Sequence, residues 1–227
     1  MSSKPIELES AAKIIRGKPT LSLPKILLHL AIFTVLLLTD EWLFPSVQSL
    51  FEWIEKRVFS FDYFREMGHF YTTILACLLI WKILPSRRRA VPFIFGAVVF
   101  ASLMMVIAKP LLARQRPNHS DGKTVFMVPF TSSSPSLPSG HATTAMANAH
   151  ALSLVLPQAK PIFYALALGA GCSRVEQGRH FASDVYLGFI FGIFFTNAAA
   201  LFWQRRADWL DVKLTPNVLR LKAAEEV

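Results

Sequence analysis

Six apolar runs divide this chain, and they restrict its architecture more than any other feature. They are Ile26 to Thr39, His69 to Leu84, Ala90 to Ala108, Ala142 to Leu156, Pro161 to Cys172, and Val185 to Trp203. A helix needs about 20 apolar residues to cross a bilayer, within a range of roughly 17–25. The third and sixth runs meet that unaided, whereas the fifth must borrow from 158–160 or 173–175. A soluble all-α bundle of buried helices is the competing architecture, and the length rule disfavours it. Composition agrees: 53% of residues are apolar, 17% are charged, and mean hydropathy is +0.40. The expectation is an all-α polytopic membrane protein, a six-transmembrane-helix bundle. Its parts are an N-terminal segment 1–25, a bundle 26–203 and a C-terminal tail 204–227.

Charge gives the orientation. Net charge is +9, and on a soluble domain that would raise nucleic-acid binding. Here the basic residues lie between apolar runs, so topology explains them and nucleic acid is not an expected partner. With six spans, the two termini and the loops after the second and fourth spans share one side. That side holds 14 basic residues, including Arg87, Arg88 and Arg89 in one short loop; the other side holds nine in longer loops. The positive-inside rule then places both termini in the cytoplasm. Trp81 and Trp203 fall at cytoplasmic ends and Trp42 at an outer end, as interfacial aromatics do. The N-terminus lacks the pattern of a cleavable signal. Cys77 and Cys172 have no metal or redox spacing and read as small buried hydrophobes.

The first outer loop carries Val47, Leu50, Phe51, Ile54, Val58 and Phe61 at helical spacing, with Glu52, Glu55 and Lys56 off that stripe. This predicts an amphipathic helix, either lying in the outer leaflet or packed on neighbouring spans. Of the remaining loop features, TSSSPSLPS is irregular by composition, and the apolar patch Val125 to Phe130 is expected to pack.

Ionisable groups at membrane depth are costly and point to function. Three clusters qualify: KPLLARQRP with Lys109 and Arg116, LPSGHA with Ser139, Gly140 and His141, and SRVEQGRHFASDV with Arg174, His180 and Asp184. Under the six-span layout all three fall at the same, outer face. Phosphoryl transfer fits them. Lys109 and Arg116, two helical turns apart, together with Arg174 supply fixed cations for phosphate oxygens. Ser139-Gly140 opens a helix, where free N–H groups and the dipole hold an anion, and Gly140 permits close approach. His180 and Asp184, at i and i+4, suit a nucleophile oriented by a carboxylate; His141 suits a general acid. A two-metal hydrolase needs several clustered ligands, and near these clusters only Asp121, Glu176 and Asp184 offer carboxylates. No metal or other cofactor is expected.

These motifs carry a resemblance. K-x6-RP at Lys109 to Pro117, PSGH at Pro138 to His141, and SR-x5-H-x3-D at Ser173 to Asp184 stand complete and in order, as in the type 2 phosphatidic acid phosphatases. The chain resembles that integral-membrane family over about a third of its length by motif, and over most of it by span layout. The resemblance implies a six-helix membrane bundle with its site at the non-cytoplasmic face of the plasma (inner) membrane. It implies His180 as the nucleophile of a phosphohistidine intermediate, Asp184 orienting it, and His141 protonating the leaving group. Lys109, Arg116, Ser139, Gly140 and Arg174 then bind phosphate. The implied substrates are membrane lipid phosphates: phosphatidate, phosphatidylglycerol phosphate, polyprenyl diphosphate or a lipid A type. Glu176 and Gln177 depart from the family's usual apolar residues, which bears on substrate preference.

Arg114 and Arg179 read as solvated or headgroup-binding charges, outside the site. His29, His69 and His150 read as hydrogen-bonded or interfacial side chains. Two other functions compete: a lipid-linked phosphotransferase using the same intermediate, and a catalytically silent scaffold or transporter, against which the intact motifs argue.

Overall fold

The computed structural model describes residues 15–16, 22–132 and 134–206. Seven helices follow in order: α1 (Leu23–Arg57), α2 (Asp62–Arg65), α3 (Phe70–Ile83), α4 (Ala90–Leu112), α5 (Gly140–Val155), α6 (Lys160–Glu176) and α7 (Ala182–Arg205). Among the described residues the only extended pairing is a single bridge between Arg114 and Phe126, so the all-α expectation holds. Most of the expected N-terminal segment and C-terminal tail lies outside the described residues.

Three helices, α1, α4 and α7, are long and apolar enough to cross a membrane. The other long helices have 14, 16 and 17 residues. The fifth run is expected to borrow from one flank or the other; α6 draws on both, Lys160 on one side and Ser173 to Glu176 on the other. Outward faces are apolar: Leu27, Val35 and Leu38 on α1, Leu78 on α3, Leu103 and Val106 on α4, and Phe202 on α7 are exposed. That is the inverse of a soluble bundle, which covers such patches.

The centre of the molecule is α5. Its sequence is rich in Ala, Ser and Thr, and nearly every residue from Ala142 to Val155 is buried. Small side chains let α4, α6 and α7 close around it, the usual basis of tight helix packing in lipid. Two glycines of α7 complete the fit. A Cβ on Gly188 would stand 2.7 Å from the Ser139 carbonyl oxygen, and one on Gly192 would stand 2.8 Å from the Ala147 nitrogen. Backbone therefore meets backbone where α7 crosses α5. At the other end, Leu154 and Val155 pack with Ile94, Ala97, Ala200 and Trp203.

Two expectations are corrected. The first span and the amphipathic helix are not separate: α1 runs unbroken for 35 residues, through Pro45. The break expected between Thr39 and Val47 fails because Asp40 is not an interfacial end. It is buried, and its charge is met inside the protein. Around and beyond Pro45, Phe44, Val47 and Phe51 pack against Ala142, Val175 and Val185, which holds the C-terminal half of the helix despite the hydrogen bond that proline removes. Buried Phe61 meets the Phe51 ring edge-on, while Leu50 and Val58 stay exposed. Packing thus accounts for most of the stripe. The second correction is Trp203, which is buried against Phe93 rather than placed at an interface; Trp42 and Trp81 are exposed. Cys77 is buried, Cys172 half-buried, and both are free thiols.

Candidate active site

The three motifs meet at one end of the bundle because of what terminates the helices. α4 stops when Ala113 takes a left-handed conformation (φ 42°), its N–H closing on the Lys109 carbonyl. A strap of residues 113–139 then returns to the start of α5, pinned by Ser136 N–H to the Arg114 carbonyl at 2.7 Å. α6 ends at Glu176, and Gly178 at φ 63° turns the chain back toward α7. Within that turn, the Arg174 carbonyl accepts from the amides of Arg179 and His180. α5 and α7 are joined at their starts by Ser139 N–H donating to the Asp184 carbonyl at 2.9 Å.

His180 is 2% exposed. It precedes α7 by two residues, so the pairing with Asp184 does not run along one helix face as expected. Asp184 instead caps the helix start, its Oδ2 accepting from the Phe181 amide at 2.9 Å. The His180 Nδ1 to Asp184 Oδ2 separation is 3.6 Å, longer than a hydrogen bond. Ser136 sits between them. Its hydroxyl donates to Asp184 Oδ2 and lies 3.2 Å from His180 Nδ1. A hydroxyl has one hydrogen. With that hydrogen on the carboxylate, Ser136 Oγ accepts from Nδ1–H, and Nε2 of His180 keeps its lone pair. Burial pushes the His180 imidazolium down to about 4, against the pull of Asp184 and with the push of Lys109 and Arg116. At neutral pH the ring is uncharged and equipped to attack.

Cations surround it. Lys109 Nζ donates to the Pro135 carbonyl at 2.8 Å and lies in the field of Arg116, Asp184 and Arg174. Lys109 and Arg116 reach this place from different elements, helix and strap, not from one helix face. Burial and neighbouring Arg179 lower the proton affinity of Arg116. Arg174, 8% exposed, donates to Gln177 Oε1 at 2.7 Å. One of the two atypical motif residues therefore orients a site arginine. The Glu176 side chain instead feels Glu55, Glu52 and Asp62. Four buried polar atoms of the site have no hydrogen-bond partner: Arg114 Nε, Arg116 Nε, Arg174 Nε and Ser139 Oγ. Unmet donors among clustered cations suit an anion rather than a packed core.

At the start of α5, the Ser139 amide is spent on Asp184, contrary to expectation, and the Ser139 hydroxyl is free. The amides of Gly140 and His141 open the helix, where no intrahelical acceptor exists. The absent Cβ of Gly140 leaves room for Met105 and the Lys109 stem. His141 is half-buried within electrostatic range of Arg174, His69 and His180. Its ring meets His69 edge-on at 4.7 Å between centroids. His29 and His150 lie elsewhere, each hydrogen-bonded, to Tyr186 and to Tyr164 with Asn197. Among the described residues, no three His, Cys, Asp or Glu side chains form a set that could hold a metal.

Sequence reasoning left out three members of this site. Arg114, expected to be solvated, is completely buried and ion-paired to both Asp184 and Asp40, at 2.9 and 2.8 Å. Ser136 was passed over as loop. Asp40 falls just beyond the first apolar run, Ile26 to Thr39, and carries no expectation from the sequence. The usable signal was an acidic pair, Asp40 and Glu41, directly between apolar segments, where a carboxylate at membrane depth demands a cation at the same depth.

A family model described as the PAP2 superfamily matches residues 91–208, just over half of the chain. This chain belongs to the PAP2 superfamily. Among curated proteins, a lipid A 1-phosphatase of Rhizobium johnstonii is 36% identical over 116 residues, covering 50% of this chain and 48% of that protein. A lipid A 1-phosphatase of Rhizobium etli is 35% identical over the same length, covering 50% of each. The chain thus spans about half the length of the curated relatives it matches. No solved structure matches it significantly. All three PAP2 motifs fall inside the matched region, whereas α1, with Asp40, lies before it.

Proposed function

We propose that this PAP2 protein is a metal-independent phosphatase of membrane lipid phosphates, acting through a phosphohistidine at His180. One observation carries the reading: unpartnered donors of Arg116, Arg174 and Ser139 cluster around a buried, neutral histidine whose Nδ1 is engaged. His180 Nε2 attacks phosphorus while the bond to the lipid oxygen breaks. His141 gives that oxygen its proton. Asp184 and Ser136 hold Nδ1–H and stabilise the cationic ring that forms. Water, giving a proton to His141, then attacks the phosphohistidine and releases phosphate and His180. Lys109, Arg116, Arg174, Ser139 and the Gly140 amide hold the phosphoryl oxygens throughout.

The substrate we favour is a phosphomonoester on a lipid A-type glycolipid, on the strength of the two relatives' names. Six spans complete the layout, with α3, α5 and α6 spanning as parts of the bundle. The N-terminal segment and C-terminal tail lie in the cytoplasm, and the site opens at the periplasmic or extracellular face. The apolar tip of the strap supports this placement. Phe126, Val128 and Phe130 are exposed, contrary to the expected packing of that patch, and a bilayer beside the site mouth would cover them.

The test is phosphate release by the purified protein from a lipid panel in excess EDTA. Lipid A 1-phosphate, phosphatidate, phosphatidylglycerol phosphate and a polyprenyl diphosphate would be compared. Release from lipid A first, with inhibition by vanadate, is expected. Activity that disappears with EDTA and returns with a divalent metal would overturn the metal-free reading.

A further inference from the structure

Resting on that phosphatase reading, we infer that Asp40 of α1, acting through Arg114, is a positioning residue that sets how much of the Asp184 charge reaches His180. The basis is a buried relay. Asp40 is 1% exposed, and Arg114 and Asp184 are fully buried. A single guanidinium nitrogen, Arg114 Nη1, lies 2.8 Å from Asp40 Oδ2 and 2.9 Å from Asp184 Oδ1. Ser183 ties the two acids together. Its amide donates to Asp40 Oδ1 at 3.2 Å and its hydroxyl donates to Asp40 Oδ2, while its Oγ accepts from Arg114 Nη1 at 2.8 Å. Arg114 has little freedom: Nη2 donates to Thr124 at 2.8 Å, and its Cζ stands 3.9 Å from the Phe181 ring centroid.

Charge counting gives the consequence. Arg114 paired with Asp184 alone would form a near-neutral couple, leaving little negative potential for the imidazolium that forms on phosphoryl transfer. Asp40 adds a second negative charge, so the trio sums to minus one. His180 needs that surplus. Apart from Asp184, the ionisable groups gathered around it are Lys109 from α4, Arg116 from the strap, His141 from α5 and Arg174 from α6, none of them an anion. A buried ion pair of this kind is costly to assemble. A carboxylate in an apolar helix serving only as a staple could be replaced together with its partner at little cost. The first helix therefore supplies part of the catalytic machinery, although it lies outside the matched PAP2 region.

The experiment compares wild type, Asp40→Asn, Asp40→Glu, Arg114→Gln and the double variant, on whichever lipid phosphate the wild type hydrolyses. Asp40→Asn should lower kcat on the order of ten- to a hundredfold, the range seen when a partner that orients a ligating group is lost. KM should stay nearly unchanged, and Asp40→Glu should restore most of the rate. The acid limb of kcat/KM should move down in Asp40→Asn and up in Arg114→Gln, opposite directions that a loss of folding alone would not produce. Should Asp40→Asn fail to fold, Arg114→Gln and the double variant decide: the acid limb should rise in Arg114→Gln and stay at or above that of wild type in the double variant, which keeps the net charge of minus one. Wild-type kcat in Asp40→Asn would overturn the inference, as would acid limbs that do not move in the single variants. An inactive wild type would instead refute the phosphatase reading on which the inference rests.

Discussion

His180 illustrates how one side chain is fitted to a task by its neighbours. Burial disfavours its charged form, and Ser136 fixes the hydrogen on Nδ1, so the free lone pair points away from Asp184. A histidine shifted below its ordinary value stays neutral until the pH falls to the shifted value. The acid limb of kcat/KM, which reports the free enzyme, should therefore lie near 4, not near the unperturbed value of about 6.5. Rate measurements across that range check this; an acid limb at the ordinary histidine value would show that burial does not control the ring. That His180, Asp184 and the cations share one place was legible in the sequence because short motifs with fixed spacing bring them in. Asp40 and Ser136 were not, because their partners are far along the chain: Asp40 meets Ser183 across 143 positions and Ser136 meets Asp184 across 48. No local pattern encodes such pairs.

At the scale of elements, the site depends on two helix starts being held together. Ser139 at the head of α5 and Asp184 at the head of α7 are joined through the backbone, and Gly188 gives the clearance. Gly188→Ala would drive a methyl group to 2.7 Å from the Ser139 oxygen. The backbones must then part, at an expected loss of about 1–3 kcal/mol and with a fall in kcat. Thermal unfolding in detergent and turnover together check this prediction, and a variant unchanged in both would mean that the helix crossing is not tight. Helix existence was legible from the apolar runs, and so was the need of α6 to borrow its ends. The length of α1 was not. A proline and a carboxylate normally mark a boundary, but here the carboxylate is neutralised by Arg114 from another element, and packing by Phe44, Val47 and Phe51 carries the helix on.

For the whole molecule, the apolar exterior and the three long helices fit a bilayer, and the proposed topology separates the strap from the loop 84–89. In a background lacking Cys77 and Cys172, Asn118→Cys should react with a membrane-impermeant maleimide on intact cells, and Ser86→Cys only after permeabilisation. The reverse pattern would turn the protein over and place the site in the cytoplasm. The orientation was argued from the sequence by counting basic residues, many of which lie outside the described residues, so labelling tests it independently. The proposed mechanism stands on the covalent step at His180. Its most direct measurement is a rapid quench of the enzyme with phosphorus-labelled lipid phosphate, followed by peptide mapping. The account predicts an acid-labile, base-stable phosphoryl group on the peptide containing His180, absent from His180→Ala, whose turnover falls on the order of 10⁴-fold or more. Label on another residue, or wild-type turnover by His180→Ala, would contradict it.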